Sequence, residues 1–275
     1  MSSAEGDEQD LTRKERREQA RAQRKAIEQA AAASAVRRQR LTQLGVVAAI
    51  VIVVIVVIVV ATGGSSKKAV KIGEKPANEN VAAVTSLLSG IPQSGNTLGS
   101  PTAPATLQYF GDLQCPVCKE FTVEGALKEV IQKWVRPGKL RIEYRSMETA
   151  THEPEIFKTQ QVAALAAGKQ NKAWYYIELF YHDQGEENSG YVNEAFMQGL
   201  AQQTPGLNLS QWTSDRGSNE LANEVAADVQ AANNLGLTGT PAFLIGHTGG
   251  QAKRVEASIT EASSFDKPIE TAIAG

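Results

Sequence analysis

Apolar and polar positions along the chain follow three rhythms, and each predicts a different kind of element. Residues 46–61 are an unbroken run of Val, Ile and Ala, and no charged residue occurs from Leu41 to Ser66. As a helix, residues 44–61 rise about 27 Å at about 1.5 Å per residue, close to a bilayer core and far longer than a soluble strand. Farther on, residues 106–110, ending at Gly111 and Asp112, read as a short buried strand. Phe121, Leu127, Val130, Ile131 and Trp134 then recur at helical spacing until Pro137 and Gly138 stop the helix. Leu140, Ile142 and Tyr144 alternate with Arg141, Glu143 and Arg145, the period-two pattern of a half-buried strand. Strand, helix and strand in this order make a βαβ unit.

A long helical stretch is predicted from about Phe157 to Leu235, with apolar stripes such as Trp174, Ile177, Phe180 and Tyr181, then Leu221, Val225 and Val229. Their spacing marks them as core rather than as cofactor contacts. The polar residues 183–190 interrupt it with an exposed loop. Pro241 opens a strand over residues 242–245, His247 to Gly250 reads as a hairpin turn into residues 253–256, and residues 265–273 predict a closing helix. Between the apolar run and residue 104 the chain is rich in Gly, Ser, Pro and Asn, with one apolar piece over residues 81–88, so it reads as a tether carrying a short helix.

The expected organisation is therefore a basic helical tail over residues 1–43, a transmembrane anchor over 44–61, a linker with a short helix over 62–104, and a folded α/β domain over 105–275 with a helical insertion at about 153–235. A length of 275 residues, 42% of them hydrophobic, suffices for one sizeable core. A cleaved signal peptide is the competing account of the apolar run, but more than forty residues precede it and it exceeds a usual signal core. Ten Lys and Arg lie before the run and only Lys67, Lys68, Lys71 and Lys75 close behind it, which predicts a cytoplasmic N-terminus and an extracytoplasmic remainder. Thr12 and Glu15 have the spacing of a capping box, and the stretch to Arg40 reads as a solvated juxtamembrane helix. Residues 67–275 hold 18 Lys and Arg against 23 Asp and Glu, so the basic face needed to grip a phosphate backbone is missing and nucleic acid is not an expected partner.

The only two cysteines are Cys115 and Cys118, in the run Cys115-Pro116-Val117-Cys118. If a helix starts at or just after Cys115, that thiol faces the unpaired N–H groups and positive end of the helix, which favour its thiolate. Pro116 suits the first helical position because it has no N–H to leave unsatisfied. Cys118, one turn in, is placed to attack a mixed disulfide formed on Cys115. A metal site would need about four ligands, and His152, His182 and His247 are scattered singly, so no metal is expected. A static disulfide is the remaining alternative, although so small a loop constrains the unfolded chain weakly.

The run Phe110-Gly111-Asp112-Leu113-Gln114-Cys115-Pro116-Val117-Cys118, the helical insertion, and Gly239-Thr240-Pro241-Ala242-Phe243-Leu244 together resemble the DsbA-like branch of the thioredoxin superfamily, and in particular its membrane-tethered bacterial disulfide oxidoreductases. The likeness covers about residues 90–275. It implies a thioredoxin-like fold in which Cys115 attacks substrate and Cys118 resolves, with the pair itself as the redox centre and no bound cofactor. It also implies a cis bond before Pro241, facing the cysteines, and an extended substrate peptide pairing with the Thr240 backbone, with Pro116 and Val117 completing the substrate-binding set. Exported cysteine-containing proteins are the implied substrates, and a quinone-linked membrane protein the implied redox partner. Many relatives carry a buried acid six residues before the first cysteine, where this chain has Tyr109; Asp112 is the candidate substitute for its proton-shuttling role. Disulfide donation, reduction or isomerisation, and a non-catalytic binding module that keeps the fold, are the functions this leaves in competition.

Overall fold

The structure, a computed structural model, describes residues 79–275. The expected tail over 1–43 and anchor over 44–61 lie outside the described residues, and among the described residues no helix is long and apolar enough to cross a membrane. The described residues form one compact unit with its own core.

Helix α1 (Glu79–Leu88) leads to two very short strands, β1 (Gln93–Ser94) and β2 (Thr97–Leu98), which pair as a hairpin. Val84, Leu88 and Leu98 are buried in the main core. The linker expectation for 62–104 is therefore corrected from residue 79 onward: this segment is part of the fold. Strands of two residues are too short to show a period, so the hairpin leaves no pattern in the sequence.

The central unit is as expected. Strand β3 (Ala105–Gly111) is buried along nearly its whole length, as a strand covered on both faces must be. It is followed by α2 (Pro116–Lys119), widened into a π-type turn at Glu120–Glu124, and by α3 (Leu127–Val130), widened likewise at Ile131–Val135. The two halves of the expected helix part at Gly125. A Cβ there would stand 2.2 Å from the Ile259 carbonyl oxygen, the same oxygen that accepts from the Ala126 N–H at 2.8 Å. Strand β4 (Leu140–Ser146) returns parallel to β3 and shows the alternating burial its sequence predicts.

Five helices then fill the stretch expected to be helical with one interruption at residues 183–190: α4 (Pro154–Gly168), α5 (Ala173–His182), α6 (Glu194–Gln203), α7 (Leu209–Asp215) and α8 (Asn219–Asn234). The additional breaks have local causes. Asn193, Asn208 and Ser218 each cap the helix that follows by accepting a backbone N–H of its first turn, and Asn171 adopts a left-handed conformation after α4. Strands β5 (Ala242–His247) and β6 (Lys253–Val255) and helix α9 (Asp266–Ala274) close the chain.

The sheet order is β1-β2-β4-β3-β5-β6, with β3 and β4 parallel and every other pair antiparallel. Register places Tyr144, Tyr109 and Phe243 side by side across β4, β3 and β5. Phe121 and Phe265 pack on this row, with ring centroids 4.8 to 5.9 Å apart, and edge-on contacts of this kind add about 0.5–1.5 kcal/mol each beyond burial. On the opposite face Phe110, Met147 and Leu244 meet Ala232 and Leu237. There Arg145 pairs with Asp228, which also accepts from the Ser146 N–H at 2.9 Å and so fastens α8 to β4.

Helix α5 holds one residue that works against the fold. Glu178 is fully buried, neither carboxylate oxygen has a hydrogen-bond partner, and burial pushes its pKa up to about 8. Below the unfolded pKa of about 4.5 both states hold the proton and ionisation costs the fold nothing; as pH rises toward 8 the unfolded chain ionises first and stability is lost. Glu178→Leu is expected to melt higher than the parent at pH 8, with the difference shrinking toward zero near pH 4.5. Melting curves across that range check it; a difference independent of pH would show that packing rather than ionisation sets the effect.

Candidate functional site

The backbone leaving β3 turns at Asp112, and the turn aims Cys115 at the start of α2. Cys115 is the N-cap of that helix in extended conformation, Pro116 is its first residue, and the Cys115 Sγ accepts the Cys118 N–H at 3.4 Å. The Cys115 thiol also donates to the Thr240 carbonyl oxygen at 3.4 Å. Both thiols are free.

The two sulfurs sit in different electrostatic surroundings. The hydrogen bond from Cys118, with Thr240 and the backbone N–H groups of Val117 and Cys118 adding to it, draws the Cys115 thiol down from about 9 to about 6, against a smaller opposing effect of burial. Cys118 is completely buried, and burial, then its contact with Cys115, pushes its thiol well above the ordinary range. Behind it lie the phenols of Tyr109, Tyr144 and Tyr181, each held well above its ordinary range by burial first and neighbouring charge second. Tyr109 donates to the Tyr181 oxygen at 3.3 Å and lies 3.4 Å from the Thr122 hydroxyl, so the position where relatives carry an acid is a neutral hydrogen-bonded phenol.

The Thr240–Pro241 bond is cis, in agreement with the resemblance. Val117, Thr240 and Pro241 come together with Phe243, Val255 and Ile259 along a groove of about 310 Å³ beside Cys115. Pro116 is exposed at the helix start and is not among the residues lining this groove. Val117 is 42% exposed, one of few large apolar side chains left open to solvent among the described residues.

Asp112 is not free to shuttle protons. One oxygen accepts the N–H groups of Thr149, Ala150 and Thr151 at 2.9–3.1 Å; the other accepts from the Gln114 N–H, the Thr151 hydroxyl and the Gln160 amide at 2.7–3.2 Å. Its carboxylate is an anchor for two loops. Sequence reasoning also missed Gln184, whose side-chain amide donates to the carbonyls of Leu113 at 2.7 Å and Cys115 at 3.2 Å, and Thr149, whose hydroxyl meets that of Thr240. Neither has a sequence signal, since a polar residue in a polar loop looks the same whether it faces water or a buried carbonyl.

The thioredoxin family model matches residues 93–262. The probable disulfide bond formation protein D of Bacillus anthracis is 24% identical over 156 residues, covering 54% of this chain and 68% of that protein. In three dimensions oxidised BdbD from Bacillus subtilis is similar, with a TM-score of 0.56 at 18% identity over 69% of this chain and 99% of that one. Wolbachia pipientis alpha-DsbA1 gives a TM-score of 0.54 at 16% identity, over 68% and 92% of the two chains. The chain belongs to the thioredoxin family and is a DsbA-like protein thiol-disulfide oxidoreductase.

The difference between the two thiols has a direct consequence for alkylation. Only a thiolate reacts, and Cys115 becomes half thiolate at about pH 6 whereas Cys118 stays protonated well above its usual range. Iodoacetamide at pH 6.5 is expected to label Cys115 alone in the reduced protein, with a rate that rises through a midpoint near pH 6. Peptide mapping after a brief pulse reads this, and preferential labelling of Cys118 would reverse the roles.

Proposed function

We propose that the chain donates disulfides to exported cysteine-containing proteins, with Cys115 as the attacked and attacking sulfur and Cys118 as the resolving one. The observation that carries this reading is the Cys115 sulfur at the N-cap of α2, accepting the Cys118 N–H and stabilised as a thiolate near neutral pH. Whatever stabilises that thiolate stabilises the reduced pair, and a pair more stable when reduced is an oxidant. The neutral Tyr109 supports the same direction, because a carboxylate at that place would oppose the thiolate charge.

In the oxidised pair a substrate thiolate attacks the Cys115 sulfur, the Cys115–Cys118 bond breaks, and its electron pair leaves on Cys118, which takes up a proton. A second substrate thiolate then attacks the substrate sulfur of the mixed disulfide and releases Cys115 as its thiolate. The substrate has lost two electrons, the pair has gained them, and the proton balance closes with Cys118 as a thiol. During the first step the substrate segment lies extended along the groove beside Thr240 and Pro241, its backbone pairing with Thr240 and its side chains against Val117. A membrane redox partner, quinone-linked in the reading the resemblance suggests, removes the two electrons and restores the disulfide.

The reduction potential tests the direction. We expect a value less negative than about −220 mV, against roughly −270 mV for thioredoxin. Because Cys115 ionises near pH 6 and Cys118 far higher, reduction takes up one proton above pH 6 and two below it. The potential should fall by about 30 mV per pH unit from pH 6 to 9, and about twice as steeply below pH 6. Equilibration with glutathione buffers across this range measures both. A potential near thioredoxin's would turn the reading to a reductase.

We also propose that residues 44–61 hold the enzyme on the membrane, tail inside and catalytic domain outside, on the strength of the uncharged apolar run and the basic residues before it. Protease added to spheroplasts is expected to digest the chain beyond Lys67 and spare a membrane-held N-terminal fragment. Full protection, or release of a soluble mature form, counts against the anchor.

A further inference from the structure

We infer that the groove between helix α9 and the strands β5 and β6 binds an anionic amphiphile, a molecule with an apolar chain and a carboxylate or phosphate head. The groove encloses about 570 Å³, the size of a small-molecule site. Ile245, Val255 and Ala272 give it an apolar floor, and Lys253, Arg254 and Lys267 stand along it. Every charged side chain lining it is basic, in a region of the chain where acids outnumber bases, 23 to 18 over residues 67–275. Counting a main-chain carboxylate at Gly275 against them still leaves a positive rim.

The three cations are not equivalent. Arg254 pairs with Glu256 at 2.8 Å, whereas Lys253 and Lys267 are exposed and have no ion pair among the described residues. Lysines placed this way lay their methylene stems on apolar walls and keep the ammonium at the water boundary, where a head group would sit. A buried apolar tail and a cationic rim together exclude a cationic or a purely polar ligand, and they distinguish this groove from the one beside Cys115, which also carries the acid Glu256.

The groove does not belong to the thiol site. β5 runs antiparallel to β3 with His247 opposite Ala105, and β3 reaches the cysteines at its other end, so Ile245 to His247 lie toward the far end of the sheet. Strand β6 is the wall between the two grooves, with Arg254 and Val255 lining both.

The full chain is used for the test. Calorimetric titration below the micelle concentration compares dodecanoate, dodecyl phosphate and dodecyltrimethylammonium. Saturable one-to-one binding of the two anions and none of the cation is expected. Lys253→Gln with Lys267→Gln should weaken binding by about tenfold, the effect of losing one good ionic contact, and Thr271→Trp, at an exposed rim position, should block it while the melting curve stays put. Sedimentation with phosphatidylglycerol vesicles separates the sources: co-sedimentation lost in the double variant assigns a lipid head group, and dodecanoate binding without co-sedimentation assigns a free amphiphile. Equal binding of the cation, undiminished binding by the folded Thr271→Trp variant, or no saturable binding overturns the proposal.

Discussion

The buried carboxylate of Asp112 is the constraint on which the site's geometry depends. A charge without water around it is tolerated only when hydrogen bonds replace its hydration, and Asp112 gathers six of them from the Gln114 amide, residues 149–151 and Gln160. One of these partners lies next to Cys115 in the chain, and another, Thr149, meets the hydroxyl of Thr240, whose carbonyl accepts the Cys115 thiol. The loop that carries the cysteines and the loop that carries the cis bond are thus held by a shared set of contacts. Gln184 fastens the same turn from the insertion side through the carbonyls of Leu113 and Cys115.

With the loops held, two sulfurs three residues apart acquire opposite characters from their surroundings alone. Cys115 takes a hydrogen bond from the Cys118 thiol, then meets the N–H groups at a helix start, and is drawn toward its thiolate; Cys118, one turn on and sealed from water, is driven toward its thiol. The aromatic row of Tyr144, Tyr109 and Phe243, with Phe121 against it, supplies the sealing, so the packing of the sheet face is also part of the redox chemistry. The buried side of the pair is lined by phenols that burial keeps neutral, where many members of the superfamily place an ionisable acid.

Much of the fold was legible because its elements are long enough to show a period. β4 alternates in burial residue by residue as its sequence alternates, and β3 is buried at all but Gln108 because both faces are covered. The hairpin at Gln93–Leu98 escaped notice because its strands have two residues each and are held by pairing with β4 rather than by any pattern of their own. The five helices of the insertion read as one interrupted stretch, since their apolar stripes nearly continue across the caps at Asn193, Asn208 and Ser218. Asp112, the candidate substitute for the acid that Tyr109 replaces, is saturated with donors arriving from residues 37 to 48 positions away, which makes it an anchor instead.

The sequence by itself determined the cysteine pair, the helix start at Pro116, the βαβ order and the Thr240-Pro241 dipeptide, because each is a matter of neighbours along the chain: a residue type, a spacing, a missing N–H. Tertiary structure alone decided how far the Cys115 thiol is drawn down and what seals Cys118 from water, what Asp112 and Gln184 hold, that Val117 joins the groove while Pro116 does not, and that basic side chains from β6 and α9 share one apolar groove. The reason is physical. Burial, charge and hydrogen-bond partnership depend on distance in space, and residues such as Cys115 and Thr240, 125 positions apart in the chain, meet only when the sheet has brought β5 beside β3.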